Sequence, residues 1–165
     1  ENGQLRLRFD RRKPAGILSK SLISMVSKTM TRDEAATLLT GHGVLPTAQR
    51  VDIALLTLAR PQHLSAEQII AAIRASGLRI SKATVYNTLN LFCDRGLLRT
   101  VDVDPTRQFY DSSTGAHHHF YNVDTGELTD IPLDSVMLKV DTALPPGTEP
   151  AGIDVVVRVR GCRVD

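Results

Sequence analysis

The sequence is poor in aromatic residues and cysteines. Aromatic residues make up 4% of the 165 residues and tryptophan is absent, so the core must be built mainly from Leu, Ile, Val and Ala. The two cysteines, Cys93 and Cys162, form no C-x-x-C pair, which excludes a zinc ribbon or a disulfide framework and makes a reducing cytoplasm the expected compartment. No apolar run approaches the roughly 20 residues of a membrane-spanning helix. The sequence therefore predicts no membrane span.

The motifs of common enzyme classes are also missing. The sequence contains no H-E-x-x-H, no nucleophile motif and no Gly-rich phosphate loop. The enzyme alternative that remains is a hydrolytic metal held by clustered histidines together with Asp111 and Asp130. We predict that the protein is not an enzyme.

Charge is unevenly distributed along the chain. The formal net charge is +2, yet residues 1–30 hold seven Lys/Arg against two Asp/Glu, residues 31–115 nine against eight, and residues 116–165 four against eight. The basic character therefore comes from the N-terminus, and net charge alone does not predict nucleic-acid binding. Residues 1–30 are predicted to be a flexible tail or an upstream extension ahead of Met25 or Met30. Their Arg- and Ser-rich composition leaves a transit peptide as the alternative.

Four helices are predicted between residues 31 and 96. Capping boxes at Thr31–Glu34 and Ser65–Gln68 begin the first and third helices. The second begins at Pro46–Thr47, and the fourth begins at Ser81 and ends near Gly96. Apolar residues recur at helical spacing in the second and third of these segments, as expected for helices packed around one core.

The fourth helix has two chemically different faces. The apolar face is predicted to contain Ala83, Val85, Leu89, Phe92 and Cys93. The outer face is predicted to contain Lys82, Thr84, Asn87, Thr88 and Arg95. This outer face suits a DNA major groove, because Asn can pair bidentately with adenine and cations can contact phosphates. The same residues would also form an ordinary solvated helix face.

A hairpin is predicted directly after the fourth helix. Residues 97–103 and 107–111 alternate as short strands, and Asp104–Thr106 carries the turn signal. Helices followed by such a hairpin indicate a winged helix-turn-helix. Arg107 would lie at the tip of the wing, where it could meet the DNA backbone or a minor groove.

Three consecutive histidines, His117–His119, begin a second, more acidic region. Strands are predicted at residues 120–123, 127–131 and 153–160, with a brief helix at residues 135–140. A region of about 50 residues buries too little surface to be stable alone, so we predict a homodimer. The overall fold class is α+β, with a winged-helix domain at residues 31–113, a hinge at 114–116 and an α/β dimerisation domain at 117–165.

Five motifs occur in order between Thr31 and Cys162. They are Leu45–Arg50, His63–Glu67, Ala83–Leu89, Gly96–Leu98 and the histidine run. In this order and spacing they resemble the ferric uptake regulator family of bacterial metal-dependent repressors. Within the family the sequence is most similar to the iron response regulator branch, on the pattern of Asn87, His117–Tyr121, Asp130–Pro132 and Ile153–Arg160.

The resemblance implies a cytoplasmic transcriptional regulator of iron homeostasis that binds a double-stranded DNA operator as a homodimer. DNA contacts would be made by Arg50, Lys82, Thr84, Tyr86, Asn87 and Arg107. Metal ligands would be His63, Asp111, His117 and His119, with His118 and Asp130 as a second metal or haem site. His117 and His119 can converge because alternate residues of a strand share a face.

The implied cofactor is a divalent metal, iron or manganese, with zinc and haem as alternatives. A thiolate zinc site is not expected, because Asn122 and Thr125 stand where many family members have cysteines. Haem would depend on the histidines alone, since no Cys precedes a Pro. A peroxide sensor, a metal-independent regulator with a degenerate site and a merely solvated histidine loop are the remaining alternatives.

Overall fold

The computed structural model describes residues 30–162, so the predicted N-terminal tail falls outside the described residues except for Met30. Four helices lie in the first part of the chain: α1 (Arg32–Gly41), α2 (Ala48–Thr57), α3 (Ala66–Ala75) and α4 (Lys82–Asp94). Six strands are β1 (His63–Ser65), β2 (Arg99–Asp104), β3 (Arg107–Asp111), β4 (His118–Asn122), β5 (Leu128–Ile131) and β6 (Val156–Val159). None of the helices in this range is long and apolar enough to cross a membrane.

Each of the four helices begins at the predicted cap. The side chains of Thr31, Thr47, Ser65 and Ser81 each accept a hydrogen bond from the backbone N–H three residues on. At Thr31 and Ser65 the side chain of Glu34 or Gln68 also reaches back to the cap backbone, which completes the two predicted capping boxes. These local signals therefore fix the helix starts.

The buried face of α4 differs from the predicted one at two positions. Thr88 is 4% exposed and belongs to the core side, whereas Ala83 is exposed. The reason is helical geometry, because residues 85, 88, 89 and 92 follow the i, i+3, i+4, i+7 pattern of one stripe and residue 83 falls outside it. Lys82 and Asn87 are exposed as predicted. Because Thr88 is buried, the polar outer face of α4 is narrower than predicted.

Two three-stranded sheets follow from the strand pairing. The first has the order β1-β3-β2, with antiparallel neighbours, and includes the predicted wing hairpin. The second has the order β5-β4-β6, in which β4 pairs antiparallel with β5 and parallel with β6. The predicted helix at residues 135–140 is wrong: only a 3-10 turn at Leu133–Ser135 forms, and Val136 is extended. So short a helix is marginal without a packing partner.

Successive side chains of β3 pack into two different hydrophobic cores. Tyr110 is 1% exposed and lies in the helical core, which contains Leu39, Ile53, Ile69, Leu89 and Phe92 among others. Phe109 points to the other face, where it packs with Val101, Val103 and Tyr121. This second cluster joins the two sheets, and Phe109 and Tyr121 meet edge to face with ring centroids 6.0 Å apart.

Replacing Tyr110 with phenylalanine is expected to stabilise the protein at alkaline pH. Burial, with smaller contributions from Cys93, Tyr86 and Glu67, raises the pKa of Tyr110 from 10.0 to about 12. The unfolded phenol ionises above pH 10 while the folded one keeps its proton, so the wild type loses ~2–3 kcal/mol of stability between pH 10 and pH 12 through this residue. Tyr110→Phe avoids that loss, which urea unfolding across this pH range would measure.

The same substitution should cost nothing at neutral pH. Within the described residues the buried Tyr110 hydroxyl has no hydrogen-bond partner, and removing an unsatisfied hydroxyl relieves its desolvation cost of about 1 kcal/mol. Tyr121→Phe is the matched control, since the Tyr121 hydroxyl donates to Asp104 Oδ2 at 2.9 Å and its loss should destabilise. A neutral-pH loss for Tyr110→Phe as large as that for Tyr121→Phe would contradict this assignment.

Candidate metal centre

Strand β3 places Asp111 at the centre of the first sheet. Asp111 is the cross-strand partner of His63 in β1 and of Arg99 in β2, so both neighbours lie beside one buried carboxylate. The sequence alone placed His63 at the start of the third helix, because a three-residue strand is too short to show a periodicity. The pairing in β1 is therefore what brings His63 to this carboxylate.

Strand β4 brings the histidines from the second sheet to the same place. His117 precedes the strand and His119 lies within it, so both point to one side. One ligand atom from each of His63, Asp111, His117 and His119 lies within 4.8 Å of the others. Ligand atoms from both sheets thus meet in a volume suited to a single ion.

Asp130 contributes to this cluster from β5. It is the cross-strand partner of His119, and its Oδ1 lies 2.9 Å from His63 Nε2 and 3.3 Å from His117 Nε2. The sequence placed Asp130 in a second site with His118, but the structure does not bring them together. His118 pairs with Ile131 and faces the other side of the sheet, where its Nδ1 accepts from Val155 N at 3.3 Å.

The tautomer of His117 is set by the backbone. Its Nδ1 lies 2.8 Å from Gly115 O, and because a carbonyl only accepts, Nδ1 must carry the proton. In the tautomer with a single proton on Nδ1, the Nε2 lone pair points into the cluster, 3.0 Å from Asp111 Oδ2. The Arg99 guanidinium lies beside both acceptor atoms, 2.9 Å from each. Such backbone orientation of a ring is typical of metal-binding histidines.

Asp111 is held in its charged form. Burial would raise the pKa of this fully buried carboxyl group, but hydrogen bonds from His119, His63, the Ser113 backbone and Arg99 outweigh burial and hold its pKa well below the usual range. The Ser113 N–H donates to Oδ1 at 2.7 Å. Asp111 therefore carries its negative charge at any physiological pH.

Arg99 is a member of the site that the sequence analysis missed. Its Nε donates to Asp111 Oδ2 at 2.9 Å, and its Nη2 lies 2.9 Å from His117 Nε2 and 3.4 Å from His119 Nε2. A signal was available, because Arg99 and Asp111 lie at mirrored positions about the predicted hairpin turn. Opposite charges at such positions indicate a cross-strand pair.

The predicted DNA-contacting residues occupy different environments. Lys82, Asn87 and Arg107 are exposed, while Arg50, Thr84 and Tyr86 are partly buried. Arg50 Nη1 donates to Leu45 O at 3.1 Å, and Tyr86 packs against the helical core. Arg107 lies against the β4–β5 turn, since a Cβ added at Gly126 would meet its Nη1 at 3.0 Å.

Histidine nitrogens and carboxylate oxygens in this cluster suit a first-row divalent metal. They do not fit haem at this cluster, because the donor atoms of three imidazoles and two carboxylates all turn toward one another. The ring centroids of His117 and His119 are only 4.6 Å apart, and those of His63 and His119 are 5.0 Å apart. Asn122, which stands where a cysteine zinc ligand could be, instead accepts from the backbone N–H groups of Asp124 and Thr125.

The structure thus defines a class of protein in which a winged helix is followed by a second small sheet, and a histidine–carboxylate cluster lies between the two sheets as a candidate cation site. The chain belongs to the Ferric uptake regulator family, whose model matches residues 42–144. The predicted family and α+β fold are thereby confirmed.

Two curated relatives show how far the likeness extends. The chain is 31% identical over 98 residues to the peroxide-responsive repressor PerR of Staphylococcus saprophyticus, covering 59% of this chain and 66% of that protein. It is 34% identical over 88 residues to the ferric uptake regulation protein of Pseudomonas putida, covering 52% and 66%. The chain thus spans slightly less than two thirds of the length of these relatives.

Solved structures agree on the fold. The Vibrio cholerae ferric uptake regulator superposes with a TM-score of 0.59 at 23% identity, covering 76% of this chain and 98% of that one. The Pseudomonas aeruginosa ferric uptake regulator, solved with manganese, superposes with a TM-score of 0.55 at 26% identity, covering 77% and 97%.

Proposed function

We propose that the protein is a metal-responsive transcriptional regulator that binds operator DNA as a homodimer and serves iron homeostasis, in the iron response regulator branch of its family. The observation that carries the proposal is the convergence of His63 and Asp111 from the winged-helix sheet with His117, His119 and Asp130 from the second sheet. In this proposal these residues bind a metal ion and catalyse no reaction. The proposed parts are the winged helix at residues 31–113, the hinge at 114–116 and the dimerisation region at 117–165, preceded by the tail at residues 1–30.

The proposed ion is iron or manganese, with zinc as the competitor, since affinity at such sites generally rises along the divalent series. His63, Asp111, His117, His119 and Asp130 would hold it. The bound ion would supply two positive charges that neutralise two carboxylates and satisfy three imidazole lone pairs. Haem is not proposed at this cluster, because the donors converge on one small volume.

Regulation would depend on how the two sheets are held together. His63 and Asp111 belong to the sheet of the winged helix, whereas His119 and Asp130 belong to the second sheet and His117 directly precedes it. Metal-bound residues would therefore favour one angle between the parts, and in a dimer that angle sets the spacing of two recognition helices on DNA. Coupling of this kind is usually about 1–3 kcal/mol, or roughly 5- to 150-fold in DNA affinity.

The proposed DNA-binding surface is the exposed side of α4. Asn87 would contact a base edge, and the cations of Lys82 and Arg50 would contact phosphates. Thr84 and Tyr86 flank Asn87, and Arg107 would reach DNA only after leaving the β4–β5 turn. The proposed dimer surface includes the segment after β5, where Met137 is 96% exposed and Leu138, Val140 and Leu144 are also exposed.

A peroxide sensor is the second candidate, favoured by the likeness to the Staphylococcus peroxide-responsive repressor. The two functions would use the same ligands but differ in chemistry. In a peroxide sensor, hydrogen peroxide would oxidise an iron-ligating histidine such as His117: one of its oxygen atoms would be added to the ring and the other would leave as water. Mass spectrometry of the tryptic peptides after peroxide treatment of the iron-loaded protein separates the two.

Chelator-treated protein is expected to bind its operator roughly 5- to 150-fold more weakly than protein given ferrous iron or manganese. Operator duplexes would be selected from a random DNA library, and affinity would be measured by gel shift with ferrous iron, manganese, zinc or haem. His117→Ala should keep the weak, metal-free affinity and lose the enhancement. Asn87→Ala should weaken binding by about 1–3 kcal/mol in both states.

The proposal would be wrong if no metal changes binding by the wild type and His117→Ala behaves identically. Enhancement by haem alone would instead favour haem regulation through another site. A loss of DNA binding in Asn87→Ala that is confined to the metal-bound state would contradict the assignment of α4 as the DNA-contacting helix.

A further inference from the structure

Arg99 places a permanent positive charge among the donor atoms of the metal centre. The guanidinium contacts Asp111 Oδ2 and His117 Nε2, each at 2.9 Å, and approaches His119 Nε2 at 3.4 Å. These three residues all belong to the cluster whose ligand atoms converge. Because an arginine stays protonated at any physiological pH, this side chain is itself a cation bound at the site. Its donors engage the same lone pairs that a metal ion needs.

The tautomer of His117 makes the competition direct. With the proton on Nδ1 facing Gly115 O, Nε2 has a single lone pair directed into the cluster. That lone pair can accept from the Arg99 guanidinium or bind a metal, but not both. Two cations sharing such a small space would also repel each other strongly. Metal binding therefore requires the guanidinium to leave.

We propose that Arg99 is a tethered cation that occupies this centre in competition with the divalent metal and thereby raises the metal concentration to which the protein responds. This inference rests on the proposed metal site. The Arg99 side chain is 24% exposed, so its long stem has an open route to solvent. Its backbone stays paired with Asp111 across the hairpin, so the side chain can turn outward without movement of the strand.

The expected change in metal affinity depends on how much of the time the Arg99 guanidinium occupies the metal centre. When a site is open for only a fraction of the time, the apparent metal affinity falls by that fraction. A guanidinium held by a buried carboxylate and an imidazole should keep the site open about one-tenth of the time or less. Arg99→Gln, which is shorter and uncharged, should then bind metal at least about tenfold more tightly than the wild type.

The test is a direct metal titration of the purified protein. Manganese binding would be followed by the electron paramagnetic resonance of the free ion, and zinc binding by competition with a chromophoric chelator. Arg74→Gln, at an exposed position of α3, is the matched control and should equal the wild type. Arg99→Lys should fall between the wild type and Arg99→Gln, because an ammonium keeps the charge but cannot form the planar fork.

Displacement can also be observed without a mutation. In the ¹⁵N-labelled wild type, the arginine Nε–H signal that is missing from Arg99→Lys reports this side chain. Saturation with zinc should move that signal to the position of a solvent-exposed arginine. A signal that stays in place at saturation would overturn the proposal, even if Arg99→Gln failed to fold.

The remaining outcomes separate this proposal from the metal site on which it rests. If the wild type and Arg74→Gln bind metal and a folded Arg99→Gln binds it equally or more weakly, the competition is refuted and the metal site stands. If no variant binds metal, the site itself is wrong and the competition fails with it. If Arg99→Gln binds metal and the wild type does not, the result supports the competition and means that the guanidinium excludes metal almost completely.

Discussion

Replacing Asp111 with alanine is expected to reduce divalent-metal affinity by more than a hundredfold and to lower the free energy of unfolding of the metal-free protein by about 3 kcal/mol. Asp111 is fully buried, and its carboxylate is paired with Arg99 and accepts a hydrogen bond from the Ser113 backbone N–H. Its loss leaves a partly buried guanidinium and a partly buried N–H group without their acceptor. This loss of stability is at the low end of the range for breaking a buried ion pair, because the Arg99 side chain can turn outward to water.

Asp130→Ala is the matched control for this prediction. Its carboxylate also contacts the cluster, through His63 and His117, but its side chain is 45% exposed. Removing an exposed carboxylate should weaken metal binding while leaving the stability of the metal-free protein nearly unchanged. Chelator competition would measure the first effect and urea unfolding after chelator treatment the second. Equal stability losses in both variants would contradict the special role of Asp111.

The stability difference at Asp111 has a defined pH dependence. The pKa of this carboxyl group is lowered in the folded protein from its ordinary value of 3.8. A lowered pKa adds stability that is fully present above pH 3.8 and is lost as the pH falls toward the folded value. The gap between the wild type and Asp111→Ala should therefore be constant at neutral pH and shrink in strongly acidic solution.

Local signals in the sequence were sufficient to predict α1 to α4 and the wing hairpin, although not to exclude a helix at residues 135–140. A capping hydroxyl and an apolar stripe lie within a few residues of one another. Thr31, Ser65 and Ser81 therefore predict where their helices begin without any information on tertiary contacts. The error at Thr88 has the same local origin, because its residue type suggested the surface while its helical position placed it in the core.

The candidate centre could be predicted only in part, because it is assembled by pairing between distant strands. His117 and His119 share a strand face, which their spacing predicts. The position of Asp130 depends on the β4–β5 register, which places it opposite His119 rather than beside His118. A one-residue shift of that register would move Asp130 to the other face. His63 and Arg99 flank Asp111 for the same reason, through pairings that span 48 and 12 residues.

The register also explains why the metal centre and the apolar contact belong to one interface. Arg99, Val101 and Val103 alternate along β2, and Phe109 and Asp111 alternate along β3, so all five side chains face the second sheet. On the opposing sheet, His119 and Tyr121 alternate along β4 in the same way, and His117 directly precedes that strand. Polar groups meet at one end of this interface and aromatic groups at the other. Loss of the aromatic end should therefore disturb the polar end.

Phe109→Ala is expected to lower the free energy of unfolding by about 3–5 kcal/mol, the usual cost of truncating a buried phenylalanine. Phe109 is 3% exposed and packs against Tyr121 across the two sheets. Because its contacts join the sheets, the substitution should also weaken metal binding and the metal-dependent gain in DNA affinity. Calorimetry, chelator competition and gel shift would measure these three effects.

Phe92→Ala is the matched control, since Phe92 is the same residue type, is 0% exposed and lies wholly in the helical core. It should cost a similar amount of stability but leave the metal affinity of the folded fraction unchanged. Phe109→Leu and Phe92→Leu form a milder pair if either alanine variant fails to fold. Equal metal affinities in the two phenylalanine variants would mean that the histidines and Asp111 converge without help from the aromatic contact. The two sheets would then be coupled by the ligands alone.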